Sequence, residues 1–167
     1  MNDNEHAEFK KLMQATEEEL AKYLEHTGVN NKYSIEEPEY LTMDAGTLRR
    51  KSPVDLASGM FQLAQYAIYI QKCINKQQAW RKWLLFKRNE VAAVAIDELG
   101  DGYGWNERRF VAESRHPLCK RINKYLAMVE MKIASLYDIS AHTKTMIDTL
   151  RDMKFALHQE SKVAENE

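Results

Sequence analysis

Between Ala45 and Asn89 the chain carries nine bases: Arg49, Arg50, Lys51, Lys72, Lys76, Arg81, Lys82, Lys87 and Arg88. They are opposed by one acid, Asp55, and no acid falls between Leu56 and Asn89. Aromatic residues are interleaved with them, namely Phe61, Tyr66, Tyr69, Trp80, Trp83 and Phe86. Cations in such a run neutralise phosphates and release their counterions. Aromatic faces stack on unpaired bases, each contributing roughly 1–3 kcal/mol with little sequence preference. The combination points to single-stranded nucleic acid. A second basic group, Arg108, Arg109, Arg115, Lys120, Arg121 and Lys124, is opposed within that stretch only by Glu113. The expected phosphate contacts are Arg81, Lys82, Lys87, Arg88, Arg108 and Arg109, and the expected stacking residues are Trp80, Trp83 and Trp105. For any one of these aromatics a packed core is the better reading. The charge imbalance is harder to explain that way, because exposed helix faces ordinarily mix signs. A basic face also suits an acidic partner, including the chain's own acidic N-terminal segment.

Other chemistry is thinly represented. Glu113-Ser114-Arg115-His116 matches half of the E-x-x-H pattern of di-iron bundles, but such sites need a second copy and two more inward glutamates. His116 ahead of Pro117 reads more simply as a helix-boundary residue. His116 and Cys119 are too few for a zinc site. Neither a phosphate-binding G-x-x-x-x-G-K nor G-x-S-x-G nor H-E-x-x-H occurs, and Asp97-Glu98-Leu99 fails the calcium-loop spacing. The expectation is a protein that is not an enzyme and has no cofactor and no metal.

The 24 bases and 25 acids nearly cancel, which excludes a chain that is basic throughout. Divided by segment, residues 1–44 hold 11 acids and 4 bases (−7), residues 45–89 hold 9 bases and 1 acid (+8), and residues 90–167 hold 13 acids and 11 bases (−2). An apolar fraction of 44% with only 6 Gly and 3 Pro excludes wholly disordered and collagen-like classes. Cys73 and Cys119 form no C-x-x-C pair and read as reduced thiols. The polar start Met1-Asn2-Asp3-Asn4-Glu5 is no signal peptide, and no apolar run reaches membrane-spanning length. These features predict a soluble protein of the cytoplasm, with no membrane association.

The elements that must position the basic residues are helical. Residues 3–27 read as a first helix with a thin apolar stripe (Phe9, Leu12, Met13, Leu20, Tyr23, Leu24), and residues 28–51 as a linker. Ser52-Pro53-Val54-Asp55 is a strong helix start, with a capping hydroxyl, a proline at the first helical position and an early acid. From there a four-three spacing runs Leu56, Met60, Leu63, Ala67, Ile70, Ile74, Gln77, Arg81, Leu84, Arg88, Val91, Ala95, Glu98. A helix from 53 to 99 would be roughly 70 Å long. Gly100-Asp101-Gly102-Tyr103-Gly104 stops it, and residues 106–115 fit a short helix. Pro117 opens a last helix with a cleaner seam, in which Leu118, Ile122, Val129, Leu136, Ile139, Met146, Leu150 and Met153 are the core or oligomer positions. Strand signals are absent. The expected fold is all-α, a long antiparallel helical hairpin with one or two shorter helices. It comprises an acidic helix plus linker (1–51), a hairpin domain (52–158) and a frayed tail (159–167). The stripes are wider than one partner helix hides, so a homo-oligomer is expected.

The capped start at Ser52, the uninterrupted helix to Gly100, the Gly100-Asp101-Gly102 turn and the closing Ile147-Asp148-Thr149-Leu150-Arg151-Asp152-Met153-Lys154-Phe155 resemble the UvsY-type recombination mediators of tailed bacteriophages. The resemblance covers residues 52–157. It implies a ring-like homo-oligomer that binds single-stranded DNA without catalysis. Such a protein helps a RecA-like recombinase displace the single-strand-binding protein during recombination and repair. Family members can carry DNA-contacting bases near the end of the first long helix, whereas this chain has Val91-Ala92-Ala93-Val94-Ala95-Ile96 there. No residue-level DNA site is therefore transferred. The competing expectation is a helical protein–protein interaction or scaffolding module, of a phage assembly or host-takeover kind, that does not bind DNA.

Overall fold

The computed structural model describes residues 35–97 and 104–164, and eight positions between Ala7 and Lys22. The side chains of Asp97, Trp105, Arg115 and residues 162–164 lie outside that description. The protein is all-helical, and no strand occurs among the described residues. A 3-10 turn, Glu39–Leu41, precedes α1 (Ala45–Arg49), α2 (Pro53–Asp97), α3 (Trp105–Arg115) and α4 (Pro117–Ala164). The two long helices have 45 and 48 residues. The eight N-terminal positions are helical and exposed. The remainder of the expected first helix, its apolar stripe and the Gly100–Tyr103 turn fall outside the described residues.

The start of α2 follows from local chemistry. The Ser52 hydroxyl accepts from the Asp55 N–H at 3.1 Å, and Asp55 Oδ2 accepts from the Ser52 N–H at 3.2 Å and from its hydroxyl at 2.7 Å. This reciprocal cap satisfies donors that the first turn would leave open. At the start of α4, Nδ1 of His116 accepts from the Leu118 N–H at 3.3 Å, so His116 caps that helix.

The helices divide into two compact units. The second unit comprises residues 31–74 and 135–167. Its core is Tyr40, Leu41, Leu48, Leu56, Leu63, Tyr66, Ile70, Ile74 and Leu150, with Met60, Leu136, Met146, Met153 and Leu157 packed against it. The four-three spacing is thus realised on both long helices. The described part of the expected linker 28–51 contains the 3-10 turn and α1. Tyr40, Leu41 and Leu48 are buried there, Asp44 caps α1 through Gly46 and Thr47, and Nε2 of His142 lies 3.2 Å from the Leu41 carbonyl. Three apolar side chains on a short segment find a larger burial gain by docking than by staying solvated. Within the expected tail 159–167, α4 continues to Ala164, and residues 165–167 lie outside the described residues.

The first unit comprises residues 1–30 and 75–134. One cluster, Leu84, Ile122, Leu126 and Val129, takes in Trp80, Leu118 and Ile133 at its edges. A second, Ala92, Ala95, Ala112 and Cys119, is built of small residues, which lets α3 approach α2 closely. Of the apolar Val91–Ile96 run, Val91, Ala92, Ala95 and Ile96 join this packing, while Val94 is 66% exposed.

Among the eight seam positions expected on α4, Ile122, Val129 and Leu150 are buried. Leu118, Leu136, Met146 and Met153 are half-buried. Ile139, expected as a core or oligomer position, is exposed at 37%. The burial passes to Thr143 one turn on, whose hydroxyl donates to the Ile139 carbonyl at 2.8 Å.

Candidate nucleic-acid interface

Trp83, Phe86 and Lys87 form a compact group on α2. The Trp83 and Phe86 rings lie 6.1 Å apart at 41°, and Lys87 Nζ stands 5.0 Å from the Trp83 ring centroid and 5.7 Å from that of Phe86. The i, i+3, i+4 spacing of a helix creates this grouping directly. Such cation–aromatic contacts fix the ammonium over the rings. Phe86 is 53% exposed, so an ordered aromatic edge faces outward beside a base. Exposed Lys82 lies one turn before Phe86.

The tryptophans behave differently from one another. Trp80 packs against the Leu84 cluster. Trp83 is half-buried, and its indole N–H is buried with no acceptor among the described residues. The Trp105 side chain lies outside the described residues. Phe86 is thus the most exposed of the described aromatics between Lys72 and Arg88. Sequence reasoning named the tryptophans as the stacking residues, yet a large ring is also readily drawn into a core.

Among the described residues, Arg81, Lys87, Arg88 and Arg109 of the expected phosphate contacts meet carboxylates. Arg81 Nε bonds Glu130 Oε1 at 2.9 Å, and both side chains are about half exposed. Lys87 Nζ is 3.0 Å from Glu90. Arg109 Nε donates to Glu113 Oε1 at 3.0 Å, and its terminal nitrogen donates to Asn89 Oδ1 at 3.3 Å. Arg88 lies 3.8 Å from Glu113 Oε2 and 3.5 Å from Asn123 Oδ1, while its Nε is buried with no acceptor among the described residues. Lys82 is exposed and Arg108 half-buried. The structure therefore brings Arg88 and Arg109 together from α2 and α3 onto one carboxylate. Arg81 is held separately, against α4.

The partners Glu113, Glu130, Asn89 and Asn123 were not expected as part of the site. The Arg109–Glu113 pair carries a sequence signal, an i, i+4 spacing of opposite charges on one helix. The Arg81–Glu130 pair has none, being separated by 49 positions. Glu113 was singled out for its E-x-x-H spacing to His116 and as the one acid within the second basic group. Its oxygens face arginines, His116 caps a helix, and no group of three metal-binding side chains occurs among the described residues.

Among the described residues no helix is long and apolar enough to cross a membrane. No protein-family model, curated protein or solved structure matches the chain.

Proposed function

We propose that the protein binds single-stranded DNA and acts as a recombination mediator that assists a RecA-like recombinase, displacing a single-strand-binding protein. The observation that carries strand binding is the Lys82, Trp83, Phe86 and Lys87 group: an exposed ring with bases beside it, set in a helix stretch that lacks acids from Leu56 to Asn89. A phosphodiester can meet the bases while a nucleobase stacks on Phe86. The mediator role rests on the resemblance to the UvsY-type proteins over residues 52–157. A hairpin with antiparallel long helices is supported by the order of contacts in the first unit, where residue 81 meets 130 and residue 88 meets 123.

Self-association is supported by the outer face of α2 in the second unit. No charged residue occurs from Leu56 to Gln71, and Val54, Phe61 and Ile68 are exposed at 77%, 65% and 61%. Their seven-residue spacing, with Ala57 and Ala64 between them, is that of a coiled-coil seam of alternating large and small residues. A second copy of the chain is the occupant assigned to it. The same face is what favours the alternative reading, a scaffolding module without DNA binding.

A mobility shift with an oligothymidine strand at low and moderate salt separates the two readings. Strand binding predicts a complex that weakens steeply with salt. Reversing Arg81, Lys82, Lys87 and Arg88 should abolish it with helicity intact. Binding that survives the reversal excludes this patch, and no shift at low salt favours the scaffold.

A further inference from the structure

We propose that Glu113 is an internal competitor for the DNA strand, occupying between Arg88 and Arg109 the place that a phosphodiester takes when the strand binds. The inference rests on the strand-binding reading above and adds a control to the same site.

Its starting point is the imbalance in how the two arginines are satisfied. Arg109 is well placed, with its Nε on one Glu113 oxygen at 3.0 Å and its terminal nitrogen on Asn89. Arg88 is not. It reaches the other oxygen of the same carboxylate only at 3.8 Å, beyond hydrogen-bond distance, and Asn123 only at 3.5 Å. Its Nε is enclosed with no acceptor among the described residues. A guanidinium presents a planar fork of donors suited to two oxygens of one anion, so a single carboxylate divided between two arginines leaves acceptor capacity missing. A phosphate group offers its oxygens around a tetrahedron and can meet both forks at once.

The site is reachable. The Arg88 and Glu113 side chains are 21% and 22% exposed, and that of Arg109 is 43% exposed. Glu113 can also move at small mechanical cost. Glu113 lies within α3 and holds the arginines through its carboxylate alone, so its side chain can turn aside without unwinding the helix. The cost of releasing the carboxylate is offset when the strand arrives, because both arginines gain an anion of matching geometry. Affinity in the free chain is thereby held below what the bases alone would give.

The test is the affinity of Glu113→Gln for an oligothymidine strand across a salt series, beside the unaltered chain. The amide retains the size and helix propensity of the glutamate but not its charge. The expected result is binding tighter by about tenfold at moderate salt, because no charge-assisted pair has to be broken first. The slope of log affinity on log salt should steepen by about 0.7, the contribution of one additional phosphate engaged on a single strand. Adding Arg88→Gln and Arg109→Gln to that variant should remove the gain. Glu113→Asp, which keeps the charge and withdraws it by one methylene, should give a smaller gain in the same direction. Circular dichroism confirms that each variant is folded, and the Asp variant decides the matter if the Gln variant is not.

Unchanged or weaker binding by the folded variants, with the unaltered chain still binding, overturns the competitor and leaves strand binding in place. In that case Glu113 positions the arginines. Absence of binding by the unaltered chain and by both variants at low salt overturns the strand-binding reading along with it.

Discussion

The ring of Tyr40 occupies the space that a side chain at Gly59 would need. A Cβ built on Gly59 would lie 2.6 Å from Cε1 of Tyr40 and 2.7 Å from Cζ. Tyr40 is buried, and its hydroxyl donates to the Asp55 carbonyl at 3.0 Å, so the ring is held at both ends. A glycine in the middle of a helix costs about 1 kcal/mol relative to alanine. Here that cost is offset by the docking of the 3-10 turn onto α2.

Gly59→Ala therefore sets two effects against each other. Propensity favours alanine by about 1 kcal/mol, while displacing a buried, hydrogen-bonded ring costs about 1–3 kcal/mol. The clash should win, and the variant should melt lower than the unaltered chain. In a Tyr40→Ala background the sign should reverse, with Gly59→Ala raising the melting temperature. A double-mutant cycle in thermal denaturation measures this directly. The same sign in both backgrounds would show that the ring yields freely.

The second-unit core should respond as a packed interior. Leu63 and Leu150 are fully buried in one cluster. Leu63→Ala and Leu150→Ala should each lose about 2–5 kcal/mol in urea denaturation. Thr143→Val should lose less than about 1 kcal/mol, because the Thr143 hydroxyl bonds a carbonyl of its own helix and valine keeps its shape. A large loss at Thr143 would assign the hydroxyl a structural role that its local bond does not explain.

The cap of α2 makes stability acid-sensitive in a defined direction. The Ser52 hydroxyl, the Ser52 N–H and the charge of Lys51 lower the Asp55 carboxyl below its ordinary value of 3.8. A carboxyl held lower in the folded state stabilises it above the unfolded value, and that contribution is lost as pH falls through the folded one. Ser52→Ala should flatten the loss of stability below about pH 4. It should also lower the melting temperature at neutral pH, where the cap is fully formed. Melting curves at pH 7 and at acid pH provide the comparison. An unchanged acid limb would place the sensitivity elsewhere.

The two thiols should separate in their reactivity. Cys119 is fully buried among alanines, whereas Cys73 is half-buried. Burial, reinforced by the charge of Glu113, pushes the Cys119 thiol above its ordinary value of 9.0, with Arg88 opposing weakly. Thiolate is the reacting form. Alkylation of the folded protein at pH 8 should therefore modify Cys73 well before Cys119, and denaturant should equalise them. Because the folded Cys119 value is raised, its stabilising contribution is present below the unfolded value and declines as pH rises through the folded one. Mass mapping of the labelled peptides checks the order.

Helical class and the buried stripe were legible because they depend on local periodicity. Leu56, Leu63, Ile70, Ile74 and Leu84 fall on the four-three spacing, and all are buried. The Ser52 cap and the boundary role of His116 were legible for the same reason, since each acts within one turn. The docked segment around Tyr40, Leu41 and Leu48 was not, because a few apolar residues in a short acidic stretch have no period. Their burial depends on the space above Gly59 and on His142, 101 positions from its contact with Leu41.

The basic site divides along the same line. Charge segregation, −7, +8 and −2 along the chain, is a property of the sequence alone, as is the i, i+3, i+4 grouping of Trp83, Phe86 and Lys87. Only the tertiary structure decides which bases already have an acid beside them. Arg81 meets Glu130 and Arg88 meets Glu113 because separate helices are packed in one register, and Coulomb interactions at such distances follow position in space. Sequence determined that this protein would present a cationic helix. Packing decided that part of the charge is engaged by carboxylates, and that an exposed phenylalanine marks its outward face.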